Sequence, residues 1–291
     1  MGCERASGIC PIPLRAVEEL RVAELLASLT LATDLGQGQP MEWELRGCLI
    51  ALDLADRLGV DGDERRRVFD LSLLRYIGCT SHAHEVAETF GDEIEARRAF
   101  LALDLDDKRA TGRTVVGYAG RGRNSIGRLG TIWSTLAAGT KSVADGFRSS
   151  CEVAGRFAEQ LGFDEHTVAA LPFAFERHDG KGLPNGAAGD AIPRAMRIVQ
   201  VAQDVEVLAR NLGVDEGLEL VQQRAGSMYD PAIVACLDRD VLSDHDDDDT
   251  WVRVLDSEPA PHHVVRGDGI DAAILVLADY TDLKSPARAG H

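Results

Sequence analysis

The sequence predicts an all-α bundle of about ten helices, and two observations carry this prediction. Apolar residues recur at three- and four-residue steps along most of the chain, whereas almost no segment alternates as a half-buried strand does. Residues that typically start or stop helices also lie at the ends of these repeats. Gly59 ends one repeat, and Pro193 and Pro231 lie where the first turn of a helix is expected. With 291 residues, 45% of them hydrophobic, the chain is long enough to bury a sizeable core.

The same pattern places the individual helices. Leu45 and Leu52 lie on one face of a helix that ends at Gly59, and Asp61 starts the next helix, whose Val68 points inward. Further helices are predicted over residues 92–103, 143–161, 165–177, 193–211, 231–238 and 270–280. We expect an N-terminal tail over residues 1–12, one helical domain over 13–265, and a C-terminal helix and linker over 266–291.

Two segments interrupt the helical pattern. Residues 108–130 are rich in glycine and arginine, which predicts a loop between two halves of the domain. The glycines do not have the GxGxxG spacing of a phosphate-binding loop, and the segment 139–142 has one residue too many for a P-loop. The acidic run 244–249 lacks the glycine and spaced glutamate of an EF-hand, so it predicts a solvated turn before a helix that starts near Thr250.

Charge and cysteine content exclude several classes of function. A formal net charge of −17 argues against direct nucleic-acid contact by this segment. No run reaches the roughly 20 apolar residues that span a bilayer, and the N-terminus lacks a signal peptide's apolar centre, so we expect a cytoplasmic protein without a membrane partner. No CxxC pair indicates a zinc site among the six cysteines, which are Cys3, Cys10, Cys48, Cys79, Cys151 and Cys236.

The most informative segment is Phe175–Pro184, followed by Ile192-Pro193-Arg194-Ala195. It resembles the signature loop of the HD-GYP metal phosphodiesterases. This resemblance implies an HD-domain-like helical bundle in which histidines and aspartates bind two or three metals, and these metals activate water against a phosphodiester. The residues that match the signature shape its turn: Glu176, Asp179, Gly180, Gly182 and Pro184.

The ligand positions implied by the resemblance hold other residues. Trp43 replaces the first histidine, Arg75 and Tyr76 replace the name-giving His-Asp pair, and Gln203 replaces the final aspartate. The remaining histidine positions hold Ser149 or Ser150, Ala174 and Phe175, and Leu183 stands in place of the signature tyrosine. We therefore expect no catalytic residues, no metal and no cofactor in this chain.

A site without metals predicts a cavity lined by large apolar and polar side chains, which is typical of a small-molecule pocket. Its expected lining is Trp43, Arg75, Tyr76, Ser150, Ala174, Phe175, Glu176 and Gln203. Alternatively, the aromatic side chains fill the space, because close packing penalises an empty cavity. A rebuilt metal site is a further alternative, with His82, His84, His178 and Asp179 as its ligands.

The C-terminus extends the resemblance. Residues 282–286 and the final Gly290 and His291 resemble the entry to an ordinary HD-GYP domain, so the chain resembles the N-terminal part of bacterial HD-domain regulators that end in a LuxR-type helix-turn-helix. The resemblance implies a metal-free, non-catalytic sensory domain that binds a small-molecule effector or a partner, forms a homodimer and controls a downstream transcription-regulating module. Two alternatives stay open: an HD-type phosphohydrolase or phosphodiesterase with an altered metal site, and a dimerisation scaffold that pairs through the last helix. The sequence does not identify an effector.

Overall fold

In a computed structural model, residues 18–101, 103–243 and 249–283 are described, and they form an almost entirely helical protein. This confirms the all-α fold. Fourteen α-helices lie within these ranges, more than the ten expected, because several have only one or two turns. Their bounds are α1 Val22–Gly36, α2 Trp43–Arg57, α3 Gly62–Leu74, α4 Ala83–Phe90, α5 Glu93–Leu101, α6 Lys108–Tyr118, α7 Ser125–Gln160, α8 Glu165–Ala170, α9 Arg194–Leu212, α10 Val214–Gln223, α11 Pro231–Val234, α12 Arg239–Ser243, α13 Thr250–Asp256 and α14 Asp268–Asp282.

The core is built around α2 and α9, with α3 packed against both helices. The helix α9 is apolar around much of its circumference, and Ile198, Val201 and Val205 are completely buried. On α2, Gly47 lies opposite Gln203 of α9, and a Cβ atom at position 47 would be 2.7 Å from the Gln203 Cγ. The two central helices are therefore packed closely at the middle of the bundle.

The turn after α3 brings a second close contact, between its backbone and α7. A Cβ atom at Gly78 would lie 2.0 Å from the carbonyl oxygen of Ser150. No side chain fits in that space, so the glycine allows the chain after Ile77 to pass directly over α7. A short 3₁₀ segment, Cys79–His82, follows against the same helix.

The helix α7 consists of two halves that meet at Gly139, whose φ of 58° and ψ of −143° are not helical. Beyond the kink, Val153, Ala154 and Phe157 are buried in the core. Before it, residues 125–138 are mostly exposed. We call this exposed segment the outer half of α7.

The prediction of a loop over residues 108–130 is wrong, because the segment contains α6 and the start of α7. Side-chain caps stabilise both helix starts. Asp107 Oδ1 accepts hydrogen bonds from the backbone N–H groups of Arg109 (2.9 Å) and Ala110 (3.0 Å), and Asn124 Oδ1 accepts one from Gly127 N–H (2.8 Å). These bonds satisfy N–H groups that a helix start leaves unpaired, which offsets the low helix propensity of glycine.

Other elements differ from expectation in length. The predicted helix 165–177 ends at Ala170 and continues as the 3₁₀ segment Leu171–Phe173, because Pro172 has no N–H to donate to an α-helix. The predicted helix 231–238 is α-helical only as far as Val234. Two antiparallel strands, β1 Glu19–Arg21 and β2 Val264–Arg266, were not expected, since three residues are too few to show alternation.

Some expectations concern residues outside the described ranges. These are the tail over residues 1–12, most of the acidic run 244–249, and the C-terminal residues 284–291, including Gly290 and His291. The helix predicted near Thr250 is present as α13. Within the described ranges, no helix combines the length and apolar character needed to cross a membrane. The four described cysteines, Cys48, Cys79, Cys151 and Cys236, are free thiols.

The contact at Gly78 gives a first prediction. Gly78→Ala should lower the free energy of unfolding by about 3 kcal/mol, because the added Cβ forces the turn away from α7. Urea denaturation followed by circular dichroism measures this change. Gly155→Ala on α7 is the matched control, since no atom beyond its chain neighbours and its own helix backbone lies within 4 Å of its Cβ position, and alanine favours a helix. A loss of stability in both variants would contradict this explanation.

Candidate functional site

A buried arginine joins three parts of the chain at the position of the expected metal centre. Arg75 follows α3, and its Nε donates a hydrogen bond to the Ala174 carbonyl oxygen (3.1 Å). Its Nη1 donates to Asp204 Oδ1 (2.9 Å) and to Gln203 Oε1 (3.4 Å) on α9. Burial opposes the charge on Arg75, but the Asp204 carboxylate outweighs it and raises the pKa of the guanidinium. Arg75 is therefore a cation held by ion pairing within the bundle.

Aromatic rings surround this arginine. The ring centroids of Trp43 and Tyr76 are 5.2 Å apart, those of Tyr76 and Phe175 are 6.0 Å apart, and Phe147 stacks on Phe175 at 4.2 Å. The Arg75 guanidinium carbon lies 4.7 Å from the centroid of Tyr76, within the range of a cation–π interaction. Trp43 has no exposed surface. These contacts make a tightly packed, largely apolar environment around a single cation.

The signature turn is held by its own side chains. Both carboxylate oxygens of Glu176 accept backbone hydrogen bonds, from Asn185 N–H (2.7 Å) and from Ala187 N–H (3.0 Å). A Cβ atom at Gly182 would lie 2.3 Å from the Arg177 nitrogen, so only glycine fits there. Asp179 accepts a bond from Lys181 N–H (3.0 Å) and pairs with the guanidinium of Arg177. The residues that match the HD-GYP signature therefore stabilise the turn.

A metal ion does not fit the side chains at the positions implied by the resemblance. Trp43, Ala174 and Phe175 offer no ligand atoms, and the nearby carboxylate of Asp204 already binds Arg75. In the parts of the chain that the structure describes, no group of three or more His, Cys, Asp or Glu side chains is placed to hold a metal. These positions therefore offer a metal-dependent reaction step no set of ligands.

The alternative metal ligands are not brought together either. His82 lies beside α7, with its Nδ1 3.5 Å from Ser150 Oγ. His178 lines a cavity of about 600 Å³ together with Arg194 and Arg197, and Asp179 is bound by its neighbours in the turn. The side chain of His84 is outside the described part of the structure.

Of the eight residues expected to line a ligand pocket, the structure clusters five: Trp43, Arg75, Tyr76, Phe175 and Gln203. Glu176 faces the signature loop, the Ala174 carbonyl binds Arg75, and Ser150 faces His82. Gln203 Nε2 donates to the Ser72 carbonyl oxygen (2.8 Å), which fixes its amide in the core. Two cavities of about 270 and 600 Å³ are lined by other residues. Trp43 and Gln203 are completely buried, and Tyr76 and Arg75 are 2% and 5% exposed, as expected if they fill the space themselves.

Sequence reasoning missed a second polar group next to this cluster. Arg97 on α5 donates from Nη1 to the Cys79 carbonyl oxygen (2.7 Å), while its Nε and Nη2 atoms are buried without a hydrogen-bond partner among the described residues. The hydroxyl of Thr80 is likewise buried without a hydrogen-bond partner among the described residues. Burial, followed by the charge of Arg97, lowers the pKa of His82 to about 4. A neutral imidazole thus lies near a guanidinium with unpaired N–H groups. The sequence gives no signal for Arg97, because α5 has to fold back over the 3₁₀ segment to bring it there.

Two buried carboxyl groups lie on the other side of the site. Asp34 at the end of α1 and Glu44 on α2 are both completely buried, and none of their oxygens has a hydrogen-bond partner in the described ranges. Burial raises the pKa of Asp34 to about 8, although the nearby start of α2 and Arg46 act in the opposite direction. Burial and the neighbouring Asp34 raise the pKa of Glu44 well above its ordinary value. Asp34 is therefore largely protonated at neutral pH.

Comparison with known proteins identifies the class of fold. No profile of a known protein family matches this chain. The chain is 27% identical over 277 residues to the 3'3'-cGAMP-specific phosphodiesterase 3 of Vibrio cholerae serotype O1, and this match covers 93% of the chain. It also resembles the crystal structure of a cyclic GMP-AMP specific phosphodiesterase of V. cholerae (V-cGAP3), with a TM-score of 0.70, 25% identity and 94% of the chain covered.

These similarities support an HD-domain family for the chain. The chain spans 60% of the length of the curated relative and 63% of the solved structure. The relatives also overturn one expectation. We expected a non-catalytic sensory domain linked to transcription through a LuxR-type module, and this is wrong, because both similar proteins are phosphodiesterases. That expectation rested on the substituted ligand positions alone.

The buried carboxyl group of Asp34 gives a prediction for stability. Between its ordinary pKa of 3.8 and about 8, the folded protein binds more protons than the unfolded chain, so the free energy of unfolding should fall as pH rises through this window. One such proton contributes a slope of up to about 1.4 kcal/mol per pH unit. Asp34→Asn should flatten the slope in urea titrations between pH 4 and 8.5, whereas Asp63→Asn, at an exposed position on α3, should not. An unchanged slope in Asp34→Asn would show that the carboxyl is ionised in the fold.

Proposed function

We propose that this chain is part of an HD-type phosphodiesterase whose substrate is a cyclic dinucleotide of the 3'3'-cGAMP class. The observation that carries the proposal is the similarity to a 3'3'-cGAMP-specific phosphodiesterase over 93% of the chain. The activity of the whole protein is part of the proposal, because the chain spans 60% of that relative. Within this chain, we place the chemistry on groups other than the substituted ligand positions around Arg75.

The group formed by Arg97, Thr80 and His82 has the character that phosphodiester hydrolysis requires. In this reaction the oxygen of a water molecule bonds to phosphorus, the ester P–O bond breaks, and the leaving oxygen takes up a proton. The unpaired Nε and Nη2 of Arg97 can donate two parallel hydrogen bonds to phosphoryl oxygens. Such donors stabilise the negative charge that grows on these oxygens in the transition state. Arg97 is therefore our candidate for binding the phosphodiester.

His82 is our candidate for accepting the proton of the attacking water. Burial and Arg97 lower the pKa of its imidazole to about 4, so the ring is neutral and able to accept a proton at pH 7. A phosphodiester bound to Arg97 would bring a negative charge close to the ring and raise its pKa. Substrate binding would thus make His82 a stronger base. The hydroxyls of Ser81 and Ser150 lie 3.4 and 3.5 Å from its Nδ1 and orient the ring.

Hydrolysis of 3'3'-cGAMP by the purified chain tests this proposal, with Mn²⁺, Fe²⁺ or Mg²⁺ added in parallel and with a chelator as the metal-free arm. Products are separated by chromatography and identified by mass. Arg97→Ala should lower kcat/KM by at least about 100-fold, as expected for the loss of a transition-state donor. His82→Gln should lower mainly kcat. The matched control is Arg98→Ala, since Arg98 is the exposed neighbour on α5 and its loss should change kcat/KM less than about twofold.

Two results would contradict the proposal at different levels. Absence of hydrolysis of 3'3'-cGAMP and of the related cyclic dinucleotides under every metal condition would overturn the phosphodiesterase function of this chain. Hydrolysis that persists in both Arg97→Ala and His82→Gln would retain that function and place the chemistry elsewhere.

A further inference from the structure

The outer half of α7 exposes an apolar stripe. Ile126, Leu129, Trp133 and Leu136 are 87%, 69%, 75% and 46% exposed. Their spacing of three, four and three residues places them on one face of the helix, in the pattern of a helix–helix seam. Thr131 and Thr135 lie on the opposite face, Ile132 lies beside the stripe, and all three are partly buried. The side of the helix that faces the protein is therefore a mixture of polar and apolar residues. Its most apolar side faces outward.

A second exposed apolar face lies on α14. Ile274, Leu275 and Leu277 are 57%, 59% and 43% exposed, while Ala273, Val276 and Tyr280 attach the helix to the core. Among the described residues, thirteen large apolar side chains are exposed, and seven of them lie on these two helices. Within one copy, α14 packs against α7. Such a concentration of exposed apolar side chains marks an interaction surface.

The outer half of α7 carries one charged side chain, Arg128, whereas α6 beside it and α14 carry charges of opposite sign. Residues 108–144, which include α6 and the outer half of α7, contain seven lysines and arginines and no aspartate or glutamate, in a chain whose net charge is −17. On α6, Lys108, Arg109 and Arg113 are exposed. The helix α14 has the opposite composition, with four aspartates and no lysine or arginine between Asp268 and Asp282. The cations beside the α7 stripe are therefore electrostatically suited to the acidic face of α14, whereas two α14 faces would repel each other.

We propose that a second copy of this chain covers these faces, with the outer half of α7 in one copy packed against α14 of the other and the reverse contact related by twofold symmetry. Size favours this reciprocal arrangement. A stable interface buries roughly 1,200 Å² or more in total, which is large for one pair of helices of about four turns each. In a twofold dimer each contact between α7 and α14 occurs twice, so the buried area is double that of one helix pair.

Light scattering coupled to size-exclusion chromatography, together with sedimentation at several concentrations, tests this dimer. The 291-residue chain should be a dimer. Leu129→Ser with Trp133→Ser on α7, and separately Ile274→Ser with Leu275→Ser on α14, should each weaken the dissociation constant by at least about 30-fold, as expected for central interface residues. Val252→Ser is the control, since this side chain is 53% exposed on α13 and lies outside both faces.

Charge provides an independent measurement. Higher salt should weaken the dimer, and Asp271→Lys with Asp279→Lys should weaken it further at low salt, because the cations near α7 would then face cations. Circular dichroism should stay unchanged in all variants, since the substituted side chains are exposed. A chain that is monomeric at micromolar concentration and sediments with anionic vesicles would overturn the proposal in favour of a membrane surface. A dimer that is lost only in the α14 variants would also overturn it, because α14 would then pair with itself.

Discussion

The buried charge of Arg75 is the constraint on which the centre of this fold depends. A guanidinium inside a protein has to be neutralised and hydrogen-bonded, and here the partners come from the loop before the signature turn and from α9. These hydrogen bonds fix the end of α3 relative to α9. The amide of Gln203, also on α9, adds a bond to the carbonyl of Ser72 on α3. The aromatic rings of Tyr76 and Phe175 pack over the same cation. Arg75 and its partners thus form a rigid connection between these helices.

The sequence predicts the fold because helical periodicity and helix ends are local properties. It also predicts that Trp43, Arg75 and Gln203 meet, since the resemblance supplies their relative positions. It fails over residues 108–130, where the capping side chains of Asp107 and Asn124 outweigh the glycines. The sequence does not predict the group around Arg97, because these residues come together only when α5 packs near Cys79. Local preference cannot report a contact that tertiary packing creates.

The functional correction has a physical basis. Substituted metal ligands describe one location in a fold, whereas activity is a property of whatever groups surround the reacting atoms. The signature turn is stabilised by Glu176 and by the close approach at Gly182, and these contacts use no metal ligand. For this reason the signature turn gives information about the fold, and the residues at the implied ligand positions give information about metal binding there. The likeness to phosphodiesterases along nearly the whole chain bears on activity more directly than either feature does.

The positions of two tryptophans give this protein separate spectroscopic reporters. Trp43 is enclosed by the aromatic cluster, so its fluorescence is shielded from dissolved quenchers and follows the integrity of the core. Trp133 is three-quarters exposed on the outer half of α7, so iodide or acrylamide reaches it readily. Once the third tryptophan, the partly buried Trp251, is replaced by phenylalanine, quenching divides the emission into an inner and an outer component. Loss of the core and coverage of the surface can be followed in one sample, without an added label.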